Sequence, residues 1–256
     1  MTASAPRDIQ AFLDDYPNQR DDKSASANLE FYSNHRRCRP DNMLIDEIHQ
    51  RWFGDYNKLE RKHGFIQWLF PIQELGVNYE SQPLQKHERE AMRTNEEVVQ
   101  RVIQSYRLML DFYGMQLEST ETGLLARVEP ESKNAERYAN LNRSFHNYLR
   151  ISRILKSLSE MGLERLNAGF LLFVLNEQSE HNELYNHTLA DSMDRWWANC
   201  IRNEEGRAWV GSTIRKVRQG ASFTRAMYEQ ALERRKATGS IIEKEDDDGT
   251  TERMWV

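Results

Sequence analysis

The chain has 256 residues, 39% of them hydrophobic and 29% charged, with a formal net charge of −5. That length allows one large domain or two small ones; a mean hydropathy of −0.82 excludes a chain dominated by membrane spans, and net acidity leaves no global field to draw in nucleic acid. With only 6 Pro and 12 Gly, the chain has too few turn-makers for a sandwich or barrel of many short strands, so an all-α fold is expected.

Residues 1–27 are polar and read as a flexible arm, with a short turn of helix at Ile9–Leu13. The opening MTASAPRDIQ has no apolar signal core, and Cys38 and Cys200 fit no disulfide framework. A reducing, intracellular compartment is therefore expected. In PDNMLIDEIHQRWFG, Ile45, Ile48 and Trp52 stand at helical spacing, with Asp41 as a candidate N-cap and Gly54 as a stop. DYNKLERKHG repeats that logic from Asp55 to Gly64. The apolar run HGFIQWLFP follows as a short helix halted by Pro71; it is far below the length of about 20 residues that a bilayer requires.

Residues 71–84 carry no period and read as a loop. Thr94 and Glu97 form a capping-box pattern ahead of a helix whose stripe is Val98, Val102, Tyr106, Met109 and Tyr113, closed by Gly114. After a linker over 119–134, NLNRSFHNYLRISRILKSLSEMG reads as one helix to Gly162, and LERLNAGFLLFVLNEQ as the next. Three more are expected near 188–201, 204–218 and 221–237, which makes a single bundle of seven to nine helices over 28–238. Residues 239–256 are acidic and read as a disordered tail.

On one ideal helix Arg143, His146, Asn147, Arg150, Arg153 and Ser157 share a face. Such donors can hold a phosphate or an acidic peptide; equally, the face can be solvated, or its arginines bonded to helix-end carbonyls. His63 is placed at a helix end, where an imidazole suits the carbonyl dipole or contacts a ligand. Trp52 and Trp68 are core anchors or the walls of an aromatic groove with Tyr56 and Gln67. Asn78 has a use in bonding loop backbone. His35 and Cys38 lack a second ligand pair, and His181 and His187, six apart, do not share a helix face, so no metal or other cofactor is expected; no nucleotide, hydrolase or EF-hand motif is present.

In order along the chain, NLEFYSN, IDEIHQRWFGDYNKLERKHGFIQWLFP, GVN, SYRLMLDFYG, LN…HN…LRISRILKSL and MGLE resemble the N-terminal domain of the opioid growth factor receptor family, from about Asn28 to about Leu175. The sequence does not run into the long repeat-bearing tail of some members and reads as the shared domain alone. The resemblance implies a receptor for the pentapeptide met-enkephalin, associated with the nucleus and with slowed cell proliferation. It is unrelated to seven-helix opioid receptors. The expectation is a non-enzymatic module binding a small peptide or short linear motif in a groove of Trp52, Tyr56, His63, Gln67 and Trp68, with Asn78 beside it and Arg150 and Arg153 for a terminal carboxylate. Its place would be cytoplasmic, nuclear or perinuclear, with peripheral membrane association allowed. Two alternatives stand beside it. One is an enzyme or binder for an anionic small molecule, using the Arg143–Arg153 stripe with His146 or His63 as acid or base; the other is an interaction scaffold.

Overall fold

Apolar residues at helical spacing recur from Ile9 to Ile241, and helices are what they build. The structure, a computed structural model, describes residues 5–242. In chain order it contains α1 (Arg7–Leu13), α2 (Ala27–Tyr32), α3 (Ile45–Trp52), α4 (Tyr56–Arg61), α5 (Phe65–Leu69), α6 (Lys86–Thr94) and α7 (Glu96–Tyr113). There follow a hairpin of β1 (Met115–Leu117) and β2 (Leu125–Arg127), then α8 (Glu131–Arg143), α9 (His146–Glu160) and α10 (Glu164–Glu180). The chain closes with α11 (His187–Arg195), a 3-10 turn at Trp197–Asn199, α12 (Glu204–Arg218) and α13 (Arg225–Thr238). The fold is all-α and globular apart from that small hairpin, and its thirteen α-helices among the described residues exceed the expected seven to nine.

A helix that is apolar on every side must be central. In α10 every residue from Leu166 to Gln178 is buried, and α9, α12, α13 and β2 pack around it. A Cβ at Gly169 would lie 1.9 Å from the Gly123 carbonyl oxygen, so the hairpin turn rests directly on the α10 backbone. The second organiser is α7, whose predicted stripe is wholly buried and which gathers α3, α6 and α8. Gly114 ends it at φ 84°, a left-handed stop as its position implied.

The extra helices are short or polar, which is why their periods were not visible. The expected arm carries α1, whose Ile9 and Phe12 are buried. Tyr16 just beyond it is buried too. Thr94 is not a cap: it ends α6, and Asn95 caps α7 by accepting from the Val98 N–H at 3.2 Å. The buried carboxylate of Glu88 in α6 accepts from the Asn28 N–H at 2.9 Å and the Leu29 N–H at 3.2 Å, holding the start of α2. Asp41 pairs with Lys62 at 2.8 Å and leaves α3 to be capped by Glu47, which accepts from the Leu44 N–H at 2.9 Å. The expected helix through 140–161 is broken at Ser144, whose φ of −99° and ψ of 78° leave the helical region. Arg143 therefore belongs to α8, not to the α9 face. The linker over 119–134 holds β2 and the start of α8. Residues 1–4 and 243–256, where most of the predicted acidic tail falls, lie outside the described residues.

A polar chain crosses the core between α3, α7, α2 and α5. His49 Nε2 lies 2.8 Å from Ser105 Oγ, Tyr32 OH lies 3.4 Å from the same oxygen, and Tyr32 also donates to the Leu69 carbonyl. Burial lowers the His49 imidazole to about 4, with repulsion from Arg101 opposing the pull of Asp46. An unfolded histidine titrates near about 6.5, so between these values the unfolded chain holds the extra proton. Stability tied to neutral His49 is complete above about pH 6.5, falls as pH drops toward about 4, and amounts to about 3 kcal/mol in total. Urea unfolding across pH 4–7 should show His49→Gln losing less stability on acidification than the parent chain; parallel curves would refute the assignment.

Candidate functional site

The segment His63 to Pro71 is a short, strongly apolar stretch, and α5 is buried along its whole length. Trp68 sits 5.3 Å from Phe31, ring centre to ring centre, and donates to the Arg39 carbonyl at 3.0 Å. Pro71 ends the run, and the following loop folds back over it. Two residues of GVN fix that closure. A Cβ at Gly76 would lie 2.5 Å from Gln67 Cγ, so only glycine permits the approach. Asn78 Nδ2 donates to the carbonyls of Arg39 at 2.8 Å and Gly64 at 2.9 Å. The buried Gln67 amide, oriented to satisfy its hydrogen bonds, donates to the carbonyls of His63 at 3.1 Å and Gly64 at 3.2 Å. Val77, between the two fixed points, is left 91% exposed.

Facing this loop is α9. Helix ends leave carbonyls without partners, and Arg150 supplies donors to those after α4. Its terminal nitrogens donate to Leu59 O at 2.9 Å and Lys62 O at 2.7 Å, and contact His63 Nδ1 at 3.0 Å. Burial lowers its pKa. The helix-end alternative for this arginine is therefore the one observed. One turn on, Arg153 donates from Nε to the Phe70 carbonyl at 2.8 Å. Its terminal nitrogens have no hydrogen-bond acceptor or ion-pair partner among the described residues. Burial pushes this guanidinium down to about 10 against the pull of Glu74, so it is charged at neutral pH. Lys156 is buried and pairs with Glu74 at 2.7 Å and Asp8 at 2.9 Å. Glu74 Oε1 also accepts from Tyr16 OH at 2.8 Å, while Glu74 Oε2 has no partner among the described residues.

Between loop and helix lies a cleft of ≈ 420 Å³, within the range of about 300–1,000 Å³ typical of ligand sites. Ile66 and Ile72 line it. Leu75 (81% exposed), Val77 and Leu149 (76% exposed) stand at its rim with Trp196. Its polar end holds His63 and His146, rings 5.5 Å apart and nearly perpendicular. His146 lies 3.1 Å from Glu60. Burial outweighs that attraction and lowers the His146 pKa. Burial would raise the Glu60 carboxyl, but hydrogen bonds from Asn140 and Asn147 hold it below the ordinary value. The arrangement suits a ligand with an apolar body and charged ends.

Of the residues singled out from sequence, His63, Gln67, His146, Arg150 and Arg153 meet in this cleft. The others do not line it. Trp52 is sealed against Phe65, ring centres 5.3 Å apart. Trp68 is equally buried, and Asn78 spends its amide on backbone. Tyr56 donates to Asp111 at 2.9 Å and lies under the Arg137 guanidinium at 4.3 Å. Arg143 is exposed on α8. The sequence assigns no site role to Glu74, Lys156, Leu75, Val77 or Leu149, and helical spacing puts Leu149 on the apolar side with Tyr148, whereas it is exposed. Leu149 carried a signal, since it interrupts the polar face of α9 with a large apolar side chain. Nothing local marks Glu74 as the partner of Lys156 across 82 residues. Cys38 and Cys200 are buried thiols raised by that burial, to about 11 and about 12, and among the described residues no group of three His, Cys, Asp or Glu is placed to hold a metal.

Fold and site together define a helical body with an open amphipathic cleft between a glycine-closed loop and a long helix. Residues 21–230 match the opioid growth factor receptor conserved region, and the chain belongs to that family. The human opioid growth factor receptor is 42% identical over 182 residues, covering 70% of this chain and 26% of that protein. Mouse opioid growth factor receptor-like protein 1 is 40% identical over 205 residues, covering 79% of this chain and 43% of that protein. The Xenopus tropicalis opioid growth factor receptor-like protein 1 is 42% identical over 185 residues, covering 71% and 35%. The chain thus spans between about a quarter and less than half of these curated relatives. No solved structure matches it.

Proposed function

We propose that this chain is a non-enzymatic peptide-binding domain of receptor type, and that a short peptide of the met-enkephalin kind occupies the cleft between α9 and the loop after α5. The observation that carries this is a pair of open hydrogen-bonding positions on an apolar cleft: the terminal nitrogens of Arg153, and the Oε2 of Glu74, whose other oxygen is held by Lys156 and Tyr16. A free peptide brings a carboxylate and an amine, and this one brings two aromatic rings for the exposed Leu75, Val77 and Leu149. Guanidinium pairs with carboxylate in a two-pronged hydrogen bond that is stronger than a neutral one. The names of the relatives point the same way. The binding reading is favoured over a catalytic one because, of the expected Arg143–Arg153 anion clamp, Arg143 lies on α8 outside the cleft and Arg150 is consumed by carbonyls of the α4 end. On this reading the chain works inside the cell, in the cytoplasm or at the nucleus; no helix among the described residues is long and apolar enough to cross a membrane.

Titration calorimetry tests it with met-enkephalin as free acid and as C-terminal amide. Saturable binding of the free acid is expected, weakened about tenfold or more by amidation or by Arg153→Gln. The two changes together should cost little more than either alone, because both remove the same contact. Absence of heat at millimolar peptide, or equal affinity for acid and amide, would refute the proposal.

A further inference from the structure

A second cavity, of ≈ 550 Å³, shares no lining residue with the cleft and lies past the C-terminal end of α9. Arg93, Arg165, Arg202 and Arg235 line it. Arg202 is neutralised by the buried Glu160 at 2.7 Å. The other three are not paired with any carboxylate among the described residues. Arg93 donates to the carbonyls of Ser159, at 3.1 Å, and Glu160. Arg165 donates from Nε to Thr120 O at 2.7 Å, which leaves both its terminal nitrogens without an acceptor among the described residues. Arg235 makes a single long contact to Glu164 O at 3.4 Å. Two glutamates share the lining. Glu164 turns its oxygens to the backbone N–H groups of Arg202, at 2.6 Å, and Asn203, at 3.3 Å; Glu205 sits in the first turn of α12.

Taking a guanidinium out of water is costly unless an anion compensates it. Here burial lowers Arg93, Arg165 and Arg235 alike, and Arg165 repels Arg235. Among the described residues the fold therefore holds three cations around a cavity with no carboxylate in ion-pair contact with any of them; Glu160 and Asp15 attract Arg93, and Glu164 attracts Arg235, only at longer range. The positive end of α12 adds to the same field, since Asn203, Glu205 and Gly206 also line the space. Planar guanidinium forks match the paired oxygens of a phosphate group, which a single-atom anion such as chloride does not offer. We propose that this cavity is a binding site for a small ligand bearing clustered phosphate groups, either free in solution or as the headgroup of a lipid. The site is independent of the peptide cleft and stands or falls without it.

The test is titration calorimetry of the full chain with tripolyphosphate at about 150 mM salt, where long-range attraction is largely screened. One saturable site is expected. Arg165→Gln and Arg235→Gln should each weaken binding about tenfold or more, whereas Arg143→Gln, at an exposed position outside the cavity, should leave it unchanged. Circular dichroism checks that each variant is folded. Arg235→Gln gives up only one long backbone contact and keeps the test open if Arg165→Gln unfolds. Co-sedimentation with vesicles containing a phosphatidylinositol bisphosphate separates the two sources. Pelleting that the same variants abolish assigns a headgroup; tripolyphosphate binding without pelleting assigns a free ligand. No saturable binding in either arm, or an equal loss with Arg143→Gln, overturns the proposal.

Discussion

Trp68→Ala lowers the unfolding free energy by about 3–5 kcal/mol, the range for truncating a fully buried large aromatic side chain. Trp68 is 2% exposed. Its ring packs on Phe31 of α2, and among the described residues its N–H is the only side-chain donor besides Asn78 that reaches the Arg39 carbonyl. Truncation removes the apolar contact and the hydrogen bond together, and α5 is too short to hold its position by its own backbone bonds. Urea denaturation should show the midpoint moving down with little change in slope. Val77→Ser, nine residues further on at an exposed position, is expected to stay within about 0.5 kcal/mol. A small effect at Trp68 would mean that the segment is not the core element described here.

Glu160→Ala is the second large effect, expected at about 3–5 kcal/mol, as for removing one member of a buried ionic cluster. Glu160 is fully buried and lies 3.1 Å from Arg89 and 2.7 Å from Arg202. Asp15 stands 2.6 Å from Arg89 and 3.3 Å from Arg202, and Arg202 also covers the Phe12 ring at 4.4 Å. One carboxylate thus ties α9, α6 and the loop before α12 to the N-terminal segment. Its loss leaves two arginines buried against a single, half-exposed Asp15. Besides the lowered midpoint, hydrogen exchange should show amides of α1 losing protection before those of α10. A change under about 1 kcal/mol, with α1 still protected, would contradict this role.

The strongest helices were readable because their pattern is local. α7 buries the stripe that its spacing marks, and α12 falls on the expected 204–218. The all-α class followed from that and from the shortage of turn-makers. What escaped was set by distant partners. The short helix at Ile9–Leu13 was expected, but not that Ile9 and Phe12 pack it against the body, and α6 has few apolar positions but carries Glu88, whose use is to hold α2. A polar face on α9 was visible, but not how its charges are spent. Arg150 goes to the end of α4, Lys156 to Glu74 and Asp8, and only Arg153 keeps free donors. Trp52 and Trp68 looked suitable for a groove for the reason that makes them core, namely large apolar area. The use of Asn78 in bonding loop backbone was legible because asparagine in a periodless loop has few other uses.

Chemical-shift mapping of the labelled chain with met-enkephalin bears most directly on the cleft. Perturbations should concentrate at Gly76, Val77, Leu149 and Arg153 and disappear in Arg153→Gln, while amides around Tyr56 and Asp111 stay still. Shifts confined to that Tyr56 face, or none at saturating peptide, would show that the cleft is not where a peptide binds.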